Sequence, residues 1–169
     1  MAGTNRTDKN KSNKITANNI IKSKIDIKAG SMTFGQRIEL GKIFSSSDDE
    51  LLKFENVFVC LHGYKPKLTE YHKLTTYFSE VAEGIAHWVN AETIMLKYEP
   101  TPEQKQAGIK ALSKSIGEMG TVDALAEKYG IDPDVVLSWE YAKVFGILFA
   151  DLEKAKYQKR YNKIIDKKK

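Results

Sequence analysis

The sequence is poor in the residues from which active sites are usually built. A single cysteine, Cys60, stands among 169 residues, which excludes an internal disulfide and with it a stapled secreted scaffold. Cys60 lies in the apolar run Val57-Phe58-Val59-Cys60-Leu61 and reads as a buried structural thiol. There are three histidines, His62, His72 and His87, and no two have the four-residue spacing of a helical metal site. Glu80 and Glu83 precede His87, a pattern that solvated helix surface explains. The eleven glycines form neither a GxxxxGK[ST] nor a GxGxxG phosphate loop, and no serine-nucleophile elbow occurs. No run approaches the ~20 apolar residues of a membrane span, and the basic amino-terminal stretch leads into no apolar signal core. The expectation is a soluble, cytoplasmic protein that is not an enzyme, with no cofactor, metal, membrane or small-molecule substrate.

What the sequence does contain is material for one core. Hydrophobic residues make up 41% of the chain, with seven Phe, eight Tyr and two Trp, enough to bury an interior of ordinary size. The net charge of +5 is unevenly spread. Residues 1–30 carry seven basic and two acidic side chains, residues 31–152 twelve and eighteen, and residues 153–169 eight and two. An acidic body thus lies between basic ends, which attract phosphates or an acidic protein surface and otherwise serve as solubilising tails.

Residues 1–19, rich in Asn, Lys, Thr and Ser, cannot bury enough surface to offset their ordering entropy. From Ile20 to Lys28, Ile21, Ser23, Ile25 and Ile27 alternate with charged residues, which is strand periodicity. A lone strand in a helical protein is either an arm packed on its own domain or a strand lent to a partner's sheet edge, and both readings stay open. Ala29-Gly30-Ser31 reads as a hinge. A first helix is expected from the N-cap Thr33 to Phe44, with Phe34, Ile38 and Gly41 on one side. A second opens on a Ser47/Glu50 capping box and buries Leu51, Phe54, Phe58 and Leu61, ending at Gly63 and Pro66. A third, Thr69 to Tyr98, buries Tyr71, Leu74, Phe78, Val81, Ile85, Trp88 and Met95, and closes before Pro100. Thr101-Pro102-Glu103-Gln104 starts a fourth, whose expected buried stripe is Ile109, Leu112, Ile116 and Met119, with Gly117 and Gly120 as its stop. A short helix through Val122, Leu125 and Ala126 stops at Gly130, Asp132 caps the next, and a long helix buries Tyr141, Phe145, Leu148, Leu152 and Ala155.

Ala126, Gly130 and Val136 have the spacing of a DNA-binding helix-turn-helix. The residues that would enter a major groove are Asp132-Pro133-Asp134, whose carboxylates repel phosphate, so the unit reads as packing rather than base readout. The fold class is therefore all-α: a single helical domain of about six helices over 31–165, a helix-turn-helix-like packing unit near its end, a basic arm over 1–30 that is disordered or extended, and a basic tail over 166–169.

The combination Leu125-Ala126-Glu127-Lys128-Tyr129-Gly130-Ile131, Val136-Leu137-Ser138-Trp139-Glu140-Tyr141 and Lys156-Tyr157-Gln158-Lys159-Arg160 resembles the carboxy-terminal part of small tail assembly proteins of tailed bacteriophages. Upstream, Met32-Thr33-Phe34-Gly35-Gln36-Arg37-Ile38-Glu39-Leu40-Gly41 is similar to the start of the helical domain in some of them. The resemblance implies a non-enzymatic chaperone that holds tail-tube or tape-measure components, working in the host cytoplasm. The partner-binding residues expected here are Ile21, Ile25 and Ile27 on the arm, and Lys154, Lys156, Tyr157, Lys159, Arg160 and Tyr161 on the last helix. The arm itself departs from that family and favours an alternative, a structural component of the virion whose arm threads into neighbouring subunits. A helix-turn-helix DNA-binding regulator is the other alternative. The expected partners are phage structural proteins or further copies of this chain, with nucleic acid reached through the basic tails as a less favoured partner.

Overall fold

The computed structural model of the protein describes residues 26–67 and 71–167, apart from the side chains at 71 and 72. Among these residues the chain is all-α, with no strand beyond one isolated antiparallel bridge between Thr33 and Glu140. Eight helices follow one another: α1 (Phe34–Ser45), α2 (Glu50–His62), α3 (Tyr71–Met95), α4 (Pro102–Gln106), α5 (Ile109–Ile116), α6 (Met119–Tyr129), α7 (Pro133–Leu137) and α8 (Tyr141–Asp166). The count exceeds six in part because the helix expected from Thr101 onward breaks at Ala107-Gly108, giving α4 and α5.

The helix starts follow local side-chain chemistry. Thr33 Oγ1 accepts from Gln36 N at 3.1 Å while Gln36 Oε1 accepts from Thr33 N at 2.9 Å, a complete capping box. Thr101 and Gln104 repeat it, and the Asp132 carboxylate caps α7 by accepting from Asp134 N at 2.8 Å. For α2 the cap is Asp49 rather than Ser47: its Oδ1 accepts from Leu51 N at 2.9 Å. A carboxylate facing the first-turn N–H groups also suits the helix dipole.

No side chain caps α8, and the chain's beginning does the work instead. Tyr141 N donates to Met32 O at 2.8 Å and Ala142 N to Gly30 O at 3.2 Å, while Phe34 N donates to Trp139 O at 2.8 Å. These bonds satisfy N–H groups that a helix start otherwise leaves without partners. Gly30 is thus a buried docking point and not a hinge. Its φ of +74° and the Trp88 Cζ2 atom, 2.6 Å from where a Cβ would stand, both require glycine.

The strand reading of Ile20 to Lys28 fails where it can be seen. Residues 27–30 form a turn closed by Gly30 N donating to Ile27 O at 3.0 Å. Ile27 is buried in the core and its carbonyl accepts from Trp88 Nε1 at 2.7 Å, so it faces its own domain and not a partner. Residues 26–30 accordingly pack with the helical body. Ile21 and Ile25, with the rest of the expected arm, lie outside the described residues.

The core gathers Met32, Phe34, Ile38, Leu40 and Ile43 from the α1 region, Val57 and Leu61 from α2, Val81, Ile85 and Trp88 from α3, Val122, Leu125 and Ala126 from α6, Val136 from α7, and Tyr141 and Val144 from α8. One charged side chain, Arg37, is buried among the described residues. Its Nε and Nη2 donate to the two carboxylate oxygens of Glu92 at 3.0 and 2.8 Å, and Tyr141 Oη donates to the same carboxylate. This bidentate pair with its tyrosine ties α1, α3 and α8 together. Several expected core positions are instead exposed: Leu51 on α2, Met95 at the end of α3, and Leu112, Ile116 and Met119 along and after α5. Against the described residues no side chain of α5 is buried, and the helix packs mainly on its sequence neighbours α4 and α6.

Candidate interaction surface

The long helix α8 changes character along its length. Tyr141 and Val144 are buried, Phe145, Leu148 and Leu152 half-buried, and every residue from Tyr157 to Lys167 is exposed. The core stripe expected through Ala155 therefore fades, because the body ends before the helix does. The exposed half carries Lys154, Lys156, Lys159, Arg160, Lys163 and Lys167 against Glu153 and Asp166. It also exposes Tyr157, Tyr161, Ile164 and Ile165, with Tyr157 60% accessible.

At 3.6 residues per turn, two adjacent sequence positions point in very different directions. Tyr157 and Lys159 are two residues apart, about 200° around the axis. The residues expected to bind a partner therefore divide. Tyr157 and Tyr161 stack on the outer face with ring centroids 6.3 Å apart and planes 21° from parallel, and Lys154 lies on that side. Lys156 and Lys159 point to the opposite side, continuing the stripe of Leu148, Leu152 and Ala155, and Arg160 lies between the two faces.

On this inner side α8 forms one wall of two clefts. The first, about 360 Å³, is faced by α5 and α6 and includes Ile116, Gly117, Gly120, Ala124, Leu148 and Asp151. The Lys128–Asp151 ion pair links α6 and α8 at this cleft. The second, about 580 Å³, lies between α8 and the end of α3 and includes Ile94, Lys97, Tyr98, Leu152, Ala155 and Lys159. Lys156, which is paired with Glu153 at 2.8 Å, and Glu99, 3.5 Å from Lys97, also line it. Ile94, 67% accessible, is the most exposed of the large hydrophobic residues described. The second cleft is a trough with an apolar floor and a lysine-bearing end.

No family model, curated protein or solved structure matches this chain. Its chemistry is therefore read from its own groups. Burial, reinforced by Glu39, pushes the Cys60 thiol up to about 11, so it is not a thiolate at neutral pH. Burial lowers the His62 pKa, holding the imidazole neutral within hydrogen-bond reach of Tyr77 Oη at 2.9 Å and against the Phe58 ring at 4.5 Å. These groups stitch α2 to α3. Among the described residues no three His, Cys, Asp or Glu side chains are placed to hold a metal ion, and no helix is long and apolar enough to cross a membrane.

The trough was not legible in the sequence, because its second wall, Ile94 to Tyr98, is more than fifty residues from Leu152. Another surface feature is the first turn of α2, where Asp48, Asp49 and Glu50 adjoin the exposed Leu51 and Leu52. Reading Leu51 as a core residue hid it.

Proposed function

We propose that the protein is a non-enzymatic phage morphogenesis protein, a tail assembly chaperone that holds a tail-tube or tape-measure component through the distal half of α8, in the host cytoplasm. The observation that carries this reading is the run from Tyr157 to Lys167, a continuous stretch of exposed helix that bears two stacked tyrosines, two isoleucines and a net positive charge. A single helix of this length gains little stability alone, and its apolar residues contribute nothing to the domain's own core. Apolar anchors flanked by Lys154 and Arg160 suit an acidic, partly apolar protein surface.

The helix-turn-helix-like unit belongs to the same reading as a packing device. The burial of Ala126 and Val136 and the φ of +63° at Gly130 support that reading. Asp132 and Asp134 are exposed at the start of α7, which is only five residues long. Carboxylates at that point oppose a phosphate backbone, which counts against the DNA-binding regulator. The alternative of a virion component with a threading arm rests on residues outside those described.

Co-expression with the tail-tube and tape-measure products of the same genome tests the proposal. The expected result is a complex that survives size-exclusion chromatography and is lost in Tyr157→Ala/Arg160→Glu/Tyr161→Ala with the fold retained. Absence of any complex, together with salt-dependent duplex binding that persists after deletion of 1–30 and 162–169, would establish the regulator instead.

A further inference from the structure

We propose that the inner trough of α8 receives the first turn of α2 from a second copy of this chain, so that the protein self-associates head to tail. This goes beyond the chaperone reading and uses the opposite face of α8 from Tyr157 and Tyr161. The trough offers an apolar floor of Leu152, Ala155 and Ile94, with Lys97, Lys156 and Lys159 at one end. The α2 turn offers the complement, Leu51 and Leu52 exposed by 54% and 46% beside Asp48, Asp49 and Glu50. Leucines enter the apolar floor while carboxylates meet ammonium groups, so both the hydrophobic and the electrostatic parts of the contact agree on one register.

The occupant is a helix turn rather than an extended strand. A strand laid in an apolar trough would bury backbone N–H and C=O groups that a helix satisfies internally. Nucleic acid is disfavoured because its affinity rests on phosphate contacts, which the apolar floor does not offer.

The two patches cannot meet within one chain. The α2 turn packs near Phe78, since Phe54 and Phe78 have ring centroids 4.4 Å apart, whereas the trough begins at Ile94 on the same helix. Sixteen residues of α3 separate the two levels by about 24 Å. Because the two patches differ, the contact is heterologous, and a pair of copies keeps one unused turn on one member and one unused trough on the other, which builds rings or filaments. One helical turn in a trough is a small interface, so association should rise with concentration and fall with salt.

Sedimentation velocity on the full chain, from micromolar to millimolar, tests this with two surface variants. The wild type is expected to show mass increasing with concentration. Lys156→Glu/Lys159→Glu, which spoils only the trough, and Leu51→Ser/Leu52→Ser, which spoils only the turn, are each expected to stay monomeric with unchanged circular dichroism. Mixed in equal amounts, these two variants retain one good trough and one good turn between them. They are expected to form a dimer that grows no further. A wild type that remains monomeric at every concentration overturns the proposal, as does self-association that both variants retain. A mixture that gives no dimer also overturns it. Loss of association only in Tyr157→Ala/Tyr161→Ala would move the contact to the outer face and overturn it too. A monomeric wild type that nevertheless binds a tail-tube or tape-measure product would leave the chaperone reading standing while this inference falls.

Discussion

Replacing Glu92 by leucine probes the polar centre of the domain. The Arg37 side chain is 7% accessible and bonded through two nitrogens to Glu92, whose carboxylate also accepts from Tyr141 Oη. Glu92→Leu leaves a buried guanidinium without its bonded carboxylate and a buried phenol without its acceptor. Removing one partner of a buried pair costs about 3–5 kcal/mol, a large share of the ~5–15 kcal/mol that holds a domain together. For a domain of this size each kcal/mol lowers Tm by about 2–4 °C, so a fall of roughly 6–20 °C is expected. The charge-free double variant Arg37→Met/Glu92→Leu should recover most of that loss, since well-packed apolar replacements of buried pairs are often neutral. Urea denaturation followed at the helical circular dichroism band measures both. A Glu92→Leu protein that unfolds within about 1 kcal/mol of the parent, against the cost expected for a lost buried pair, would refute the reasoning. So would a double variant no more stable than the single.

Three other outcomes are expected. Val144→Asp, at a fully buried position, should abolish folding, whereas Leu148→Asp, half-buried at the first cleft, should leave a folded protein weakened by about 1–2 kcal/mol, contrary to what the sequence stripe implied; far-ultraviolet circular dichroism and urea midpoints distinguish the two. Gly30→Ala should cost about 2–4 kcal/mol, from left-handed strain and the clash with Trp88 and Ala142, and should alter Trp88 fluorescence in the folded state as Ile27 and its carbonyl shift. His62 is depressed by burial, so the unfolded chain takes up a proton first: its effect on stability is absent above about pH 6.5, and stability falls as pH drops from there to the lowered folded pKa. Thermal unfolding across that range should show the fall in the parent and a shallower one in His62→Gln.

Elements whose cause is local were readable from the sequence. Thr33 with Gln36, and Thr101 with Gln104, announce their helices because a capping box is a contact over three residues. Gly63 and Gly130 likewise stop α2 and α6 as their positions indicate. The Ile109 to Met119 stripe shows the opposite case: periodicity identifies an apolar face but not whether anything covers it, and Leu112, Ile116 and Met119 remain exposed. Ile27 alternates like a strand residue, yet its carbonyl meets Trp88, sixty-one positions away, and that contact decides its place. The Arg37–Glu92–Tyr141 cluster had no signal in any local window, since its members are 55 and 49 residues apart. Within the expected site, the run from Lys154 to Tyr161 was legible as helix and as basic. Its division into a stacked aromatic face and a lysine-bearing trough follows from the helical turn together with the position of α3, which only the fold supplies.

The proposed role of the distal half of α8 in binding a partner is tested most directly by amide hydrogen exchange. Exchange is measured on the protein alone and with the purified tail-tube or tape-measure product of the same genome. The expected result is that amides of residues 157–167, whose side chains are exposed in the isolated domain, gain the largest protection on adding the partner. Protection confined to other segments, or an α8 that exchanges equally fast in both samples, would contradict it.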